Sequence, residues 1–144
     1  TAVAGVTEMV LDIRHLDIGS LATMLEECRA ACDQAAHEFG CSVSAKRIFS
    51  ATPTEFSPEL VSLVGSAVSD ARGGDGPPIP SGALHDATEI GRIVPTVMIF
   101  AQSDPPLSHT PSEDSPEAAL RLAIDAFGRT VGRVLAEAKT GPRA

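Results

Sequence analysis

Two histidines and an arginine are the side chains of this chain best suited to chemistry, and each sits among small or acidic neighbours. His109 lies in Leu107-Ser108-His109-Thr110-Pro111, a polar loop just past an apolar run from Val94 to Ala101. Open α/β sheets build their sites in loops at the carboxyl ends of strands, and histidine is the commonest nitrogen ligand for zinc. A surface loop histidine is the plainer reading of the same position. Glu113 follows four residues on and Asp114 five. A carboxylate there could orient His109, or simply occupy the first turn before a helix, where the dipole favours it.

His85 and Asp86 follow Ser81-Gly82-Ala83. Small residues such as Gly82 and Ala83 let the backbone come close to a ligand. Asp86 or another carboxylate could fix a histidine tautomer, although adjacent side chains seldom bond each other. The alternative is a helix N-terminus with Ser81 as its cap. Arg14 ends an alternating segment and is followed by His15. A guanidinium grips a carboxylate through two parallel hydrogen bonds, whereas the plainer reading is a solvated strand end. Cys28 and Cys32 are four apart in a helical pattern and share a face. Two such thiols could ligate a metal, but they fall in register with Leu21, Met24, Leu25 and Phe39, so core positions are expected. The chain has no GxSxG elbow, no Walker loop, no GxGxxG and no HExxH.

The elements that must position these groups follow from periodicity. Met9, Leu11 and Ile13 alternate with Glu8, Val10, Asp12 and Arg14, which predicts a strand with Asp12 and Arg14 facing away from the buried side. Asp17 caps a helix whose apolar face runs from Leu21 to Phe39, and Gly40 stops it. Cys41, Val43 and Ala45 alternate in a second strand ending near Phe49. Ser57-Pro58-Glu59 is a cap, a first-turn proline and a first-turn acid, opening a helix that ends near Ala71. A flexible Gly/Pro-rich loop spans residues 72–80 and a short helix is expected around His85 to Gly91. Pro95 to Ala101 reads as a central strand covered on both faces. Ser115-Pro116-Glu117 repeats the earlier start signal. It opens a last helix with Leu120, Ile124, Phe127, Val131 and Val134/Leu135 as its apolar stripe, and Gly141 to Ala144 should fray. Each half is α/β in character but incomplete, since a two-stranded sheet is marginal alone. Either the halves share a sheet, or a partner supplies the missing strands.

Composition narrows the functional classes. The 144 residues suffice for one domain with a core. Hydrophobic residues make up 43% and aromatics 3%, with neither Trp nor Tyr, so that core is aliphatic and alanine-rich. A net charge of −8 argues against nucleic-acid or anionic-membrane partners, which need clustered Lys and Arg. No apolar run reaches the roughly 18 residues of a membrane span. No basic stretch precedes an apolar one at the start, so no signal peptide is expected. Three unpatterned cysteines fit a reducing cytoplasm. The first residue is Thr1 rather than Met, which reads as a chain that is processed, trimmed or part of something longer.

Three segments, taken in order, resemble one family: Leu11-Asp12-Ile13-Arg14-His15, then Pro80-Ser81-Gly82-Ala83-Leu84-His85-Asp86-Ala87, then Val94 to Phe100 with Ser108-His109-Thr110-Pro111-Ser112-Glu113. They resemble the amidase/hydantoinase/carbamoylase branch of the dinuclear-zinc aminoacylase–carboxypeptidase superfamily, which includes N-carbamoyl-L-amino-acid hydrolases and allantoate amidohydrolases. The resemblance covers almost the whole chain and implies an α/β architecture. Residues 1–50 correspond to a β-α-β half of a ferredoxin-like lid or dimerisation domain. Residues 51–144 correspond to the C-terminal part of a zinc-peptidase-like catalytic sheet with flanking helices. It further implies that His109 is a zinc ligand and that Arg14 binds a substrate carboxylate. Gly82, Ala83 and His85 would line the substrate site, and Glu113 and Asp86 would support these groups.

The remaining zinc ligands and the catalytic glutamate of the family belong to an N-terminal half that these residues do not contain. Zinc, or another divalent metal, is therefore expected only when another segment supplies the missing ligands. This chain also departs from the family at Leu84 and Pro106, where glycine is usual, and at Thr1, where a substrate-binding asparagine is usual. The implied function is part of a cytoplasmic amidohydrolase that cleaves a C–N bond of an N-carbamoyl amino acid or a related ureido or amide substrate. Its partner is a complementary N-terminal subunit or a second copy, and the chain alone is expected to be inactive. The alternatives are a non-catalytic dimerisation or binding module of the same ancestry, and a plain α/β domain whose motifs are vestiges.

Overall fold

The computed structural model describes residues 2–140, so Thr1 and the C-terminal Gly141 to Ala144 lie outside the described residues. The chain divides into two compact units that part between Pro53 and Thr54.

The first unit is organised on one helix, α1 (Ile18–Phe39). Asp17 caps it in extended conformation, its side chain accepting the Ser20 N–H at 2.6 Å. Gly40 ends it in the left-handed region at φ 65°, with its N–H on the Ala36 carbonyl. A side chain there would be strained, which is why glycine stops the helix. Leu21, Met24, Leu25, Cys28, Cys32 and Ala36 are half-buried on one face, so both thiols take the apolar side of the helix. Phe39, expected on that face, is exposed. Residues 8–14 and 41–49 carry the alternating patterns expected of strands, but no β-ladder forms among the described residues. Met9 and Val10, on opposite sides of the first segment, are 80% and 78% exposed.

The second unit is built on two helices, α2 (Pro58–Arg72) and, after the five-residue α3 (Asp86–Ile90), α4 (Glu117–Thr140). Ser57 caps α2 as the sequence signals: its Oγ accepts the Leu60 N–H at 3.3 Å and donates to Glu59 at 2.8 Å. That second bond holds the Glu59 carboxyl below its ordinary range. The Ser57 N–H donates to the Thr96 carbonyl at 3.3 Å, tying the start of α2 to the apolar segment 94–101. Gly73 closes α2 with φ 73°.

The core is the contact between α2 and α4. Val64 and Ala67 of α2 and Ala126 and Thr130 of α4 are the buried residues among those described, Ala67 completely. Thr130 satisfies its hydroxyl on the Ala126 carbonyl at 2.8 Å, so burying it leaves no donor unpaired. Arg133 crosses from α4 to the Leu63 carbonyl at 3.4 Å and to the Asp70 carboxylate.

The face α4 turns inward is therefore its small-residue face. The apolar stripe read from periodicity, Leu120, Ile124, Phe127, Val131 and Val134/Leu135, is exposed, with Ile124 at 70% and Phe127 at 62%. The two faces are offset by a single residue, about 100° around a helix with 3.6 residues per turn.

Candidate functional site

His109 occupies a loop whose base is closed by the Asp104 N–H on the Asp114 carbonyl at 2.9 Å and by the Ser103 hydroxyl on the Leu107 carbonyl at 3.0 Å. It is the one non-glycine residue with positive φ, 59°, among the described residues. Left-handed backbone disfavours L-residues by roughly 1–2 kcal/mol, although histidine visits it more readily than most. The conformation is held locally. The His109 N–H donates to the Glu113 carboxylate at 2.7 Å, and the Glu113 N–H donates to the Thr110 carbonyl at 3.1 Å. Glu113 thus orients His109 through its backbone rather than its ring. Strained residues of this kind concentrate where a side chain must be presented in one direction.

His85 is the N-cap residue of α3, extended at φ −135° and ψ 151°, with its carbonyl accepting the Thr88 N–H. Its ring is half-buried. Nε2 lies 2.7 Å from Ser81 Oγ, and the ring packs at a tilt on Phe100, 5.6 Å between centroids. Ser81 is consequently not the helix cap. It closes a tight turn by accepting the Ala83 N–H at 3.2 Å and holds the histidine four residues later. Gly82 is exposed on this turn and a Cβ there would meet open space, so the backbone is accessible. Ala83 is half-buried, and Asp86 is exposed in the first turn of α3.

Arg14 belongs to the other unit. Its Nε lies 3.1 Å from both carboxylate oxygens of Asp12, raising the arginine's pKa and lowering the aspartate's, chiefly through the hydrogen bond between them. Residues two apart in an extended segment share a side, which is why Asp12 meets Arg14. A substrate carboxylate would have to displace Asp12 from the guanidinium. Both side chains are mostly exposed.

Zinc takes four nitrogen, oxygen or sulfur ligands. His109 is one donor, and its neighbouring carboxylate is engaged by the His109 N–H. No group of three or more His, Cys, Asp or Glu side chains that could hold a metal ion forms among the described residues. The donors present do not complete a metal centre. A surface cleft of about 510 Å³ lies between the start of α2 and residues 91–96, lined by Phe56, Ser57, Gly91, Arg92, Pro95 and Thr96 among others. None of the candidate site residues lines it. No helix among the described residues is long and apolar enough to cross a membrane.

Ser81, Phe100 and Asp12 were not assigned as partners of the site residues from sequence. A signal existed for two of them: Ser81 stands four residues before His85, and Asp12 two before Arg14. Phe100 is brought to His85 by folding alone.

The segments bearing Arg14, Gly82 to His85 and His109 all fall within residues 3–133, which match the family model described as Peptidase family M20/M25/M40. This chain belongs to that family. The M20/M25/M40 assignment makes it a metallo-hydrolase domain and supports the zinc aminoacylase–peptidase superfamily inferred from its motifs. Enzymes of the family typically depend on zinc or another divalent metal. Comparison with curated proteins and with solved structures gives no match.

Proposed function

We propose that this chain is the C-terminal part of a zinc-dependent amidohydrolase of the M20/M25/M40 family. The substrate is an N-carbamoyl amino acid or a related ureido or amide compound, cleaved at a C–N bond. The family match over residues 3–133 carries the reading, and the order of the three motifs supports the finer choice of substrate. In this reading Arg14 holds the substrate carboxylate, exchanging it for Asp12. Gly82, Ala83 and His85 line the substrate, with the exposed turn at Gly82 permitting close approach. His109 contributes one nitrogen to a metal centre whose other ligands come from a complementary N-terminal segment. Segments 8–14, 41–49 and 94–101 take places in α/β sheets completed by that segment or by a second copy. The protein works in the cytoplasm.

The test is reconstitution. The 144-residue chain is expressed alone and together with a polypeptide carrying the N-terminal half of the catalytic domain. Zinc content and hydrolysis of N-carbamoyl amino acids are then measured. The chain alone is expected to hold little zinc and to be inactive, whereas the assembly gains both. His109→Ala should lower metal content and abolish turnover. Unchanged zinc and unchanged hydrolysis in His109→Ala would overturn the ligand role.

A second reading is a non-catalytic dimerisation or binding module of the same ancestry. The observation that favours it is the departure from the family pattern at Leu84 and Pro106, where glycine is usual. Sedimentation of the isolated chain tests it: a clean monomer that binds nothing counts against a module.

A further inference from the structure

We infer that Ser81 is a positioning residue that sets which ring nitrogen of His85 carries the proton. Ser81 Oγ lies 2.7 Å from His85 Nε2 in a part-buried setting, and the same oxygen accepts the Ala83 N–H at 3.2 Å. A hydroxyl has one hydrogen to donate and two lone pairs to accept with. The Ala83 amide uses a lone pair, so the hydrogen is left to be placed. An imidazole nitrogen at 2.7 Å is at the usual distance for an O–H donor. The second lone pair of Ser81 could instead accept an Nε2–H, but the hydroxyl hydrogen would then have no acceptor among the described residues; donation to Nε2 places it, leaves that nitrogen unprotonated and puts the neutral ring's hydrogen on Nδ1.

The surroundings keep the ring in this pose. The His85 backbone is fixed as the N-cap residue of α3, and Phe100 packs tilted by 58° against the imidazole. No hydrogen bond to Nδ1 is present among the described residues. Nδ1–H is therefore a half-buried donor available to an acceptor from outside the chain, such as a carbonyl or carboxylate oxygen. The importance of that donor for turnover rests on the amidohydrolase reading above; the tautomer itself does not.

The experiment is nitrogen-15 NMR of the imidazoles in the labelled 144-residue chain, at a pH where histidine is neutral, with the His85 signals assigned by His85→Gln. Expected are a pyridine-type Nε2 and a pyrrole-type Nδ1. Ser81→Ala should lose that pattern, and Ser81→Thr, which keeps the hydroxyl, should retain it. A pyrrole-type Nε2 in the unsubstituted chain overturns the inference, as does an unchanged pattern in Ser81→Ala. Should Ser81→Ala fail to fold, the unsubstituted chain and Ser81→Thr still decide.

In the reconstituted enzyme Ser81→Ala should lower kcat/KM about tenfold, the scale seen when a group that orients a site residue is removed. Ser81→Thr should restore it. A changed tautomer with unchanged turnover would overturn the substrate-contact role of His85 and leave the tautomer assignment standing.

Discussion

The α2–α4 pair and the loops that carry His85 and His109 belong to one unit, yet opposite kinds of contact hold them. The helices meet through residues far apart in the chain: Arg133 bonds Asp70 across 63 positions and Leu63 across 70. The site loops are held over four, Ser81 to His85 and Glu113 to His109. Long-range contacts must offset the entropy of closing a long loop before they stabilise anything. Local ones order a residue cheaply but do not bring distant residues together. The helix pair therefore gives the unit its anchor, whereas the candidate residues are preset one at a time. Each arrives in a defined conformation, and nothing among the described residues gathers them.

The largest test of this contrast is overpacking of the anchor. Ala67→Leu or Ala126→Leu puts a branched side chain where the native residue is at most 2% exposed. Such changes cost about 1–3 kcal/mol and should lower the denaturant midpoint accordingly. An unchanged midpoint would break the claim that this contact anchors the unit. Arg133→Ala comes next. It removes bonds to the Leu63 carbonyl and to the half-exposed Asp70, and solvent screening of the ion pair limits the loss to about 1 kcal/mol.

On the loop side the effect is smaller and reversed in sign. His109→Gly relieves the left-handed backbone, and the gain is reduced by the greater freedom of glycine in the unfolded chain. The expected net is a stabilisation of about 0.5 kcal/mol in the same melts, together with loss of metal from the reconstituted enzyme. A destabilised His109→Gly would show that the side chain is packed by more than its own loop.

The subtlest test concerns the other unit. Hydrogen bonds from the Ser20 backbone and then its side chain hold the Asp17 carboxyl below its ordinary value of 3.8. A group whose folded pKa is depressed stabilises above its unfolded value and loses that contribution as pH falls through the folded one. Circular dichroism should show α1 weakening below about pH 3.8, and Asp17→Asn should flatten that dependence.

Both ends of α1 were legible from sequence because capping is a local matter. Asp17 and Gly40 act on groups within four residues, and Ser57 does the same for α2. On α4 the apolar stripe was legible but the buried face was not, for a physical reason. Periodicity locates an apolar stripe but not its neighbour, and α2 takes the alanine face one residue away. The family was legible in the motifs around Arg14, His85 and His109. Their partners were only partly so: Glu113 was named as able to orient His109 or to occupy the turn before the last helix, and it accepts the His109 backbone N–H. Alternation marks residues 8–14 and 41–49 as able to form strands, but pairing is a non-local property that alternation does not specify, and no β-ladder forms among the described residues.

The one-residue offset on α4 has a thermodynamic corollary. Ala126 and Thr130 commit one side of the helix to α2, and Arg133 locks its rotation. Ile124 and Phe127 are thereby presented on a backbone that is already ordered. Much of the entropy that association normally removes has been lost beforehand, in folding. Any surface that comes to cover those two side chains meets a preorganised face, so its affinity should depend on fit and apolar area more than on induced order.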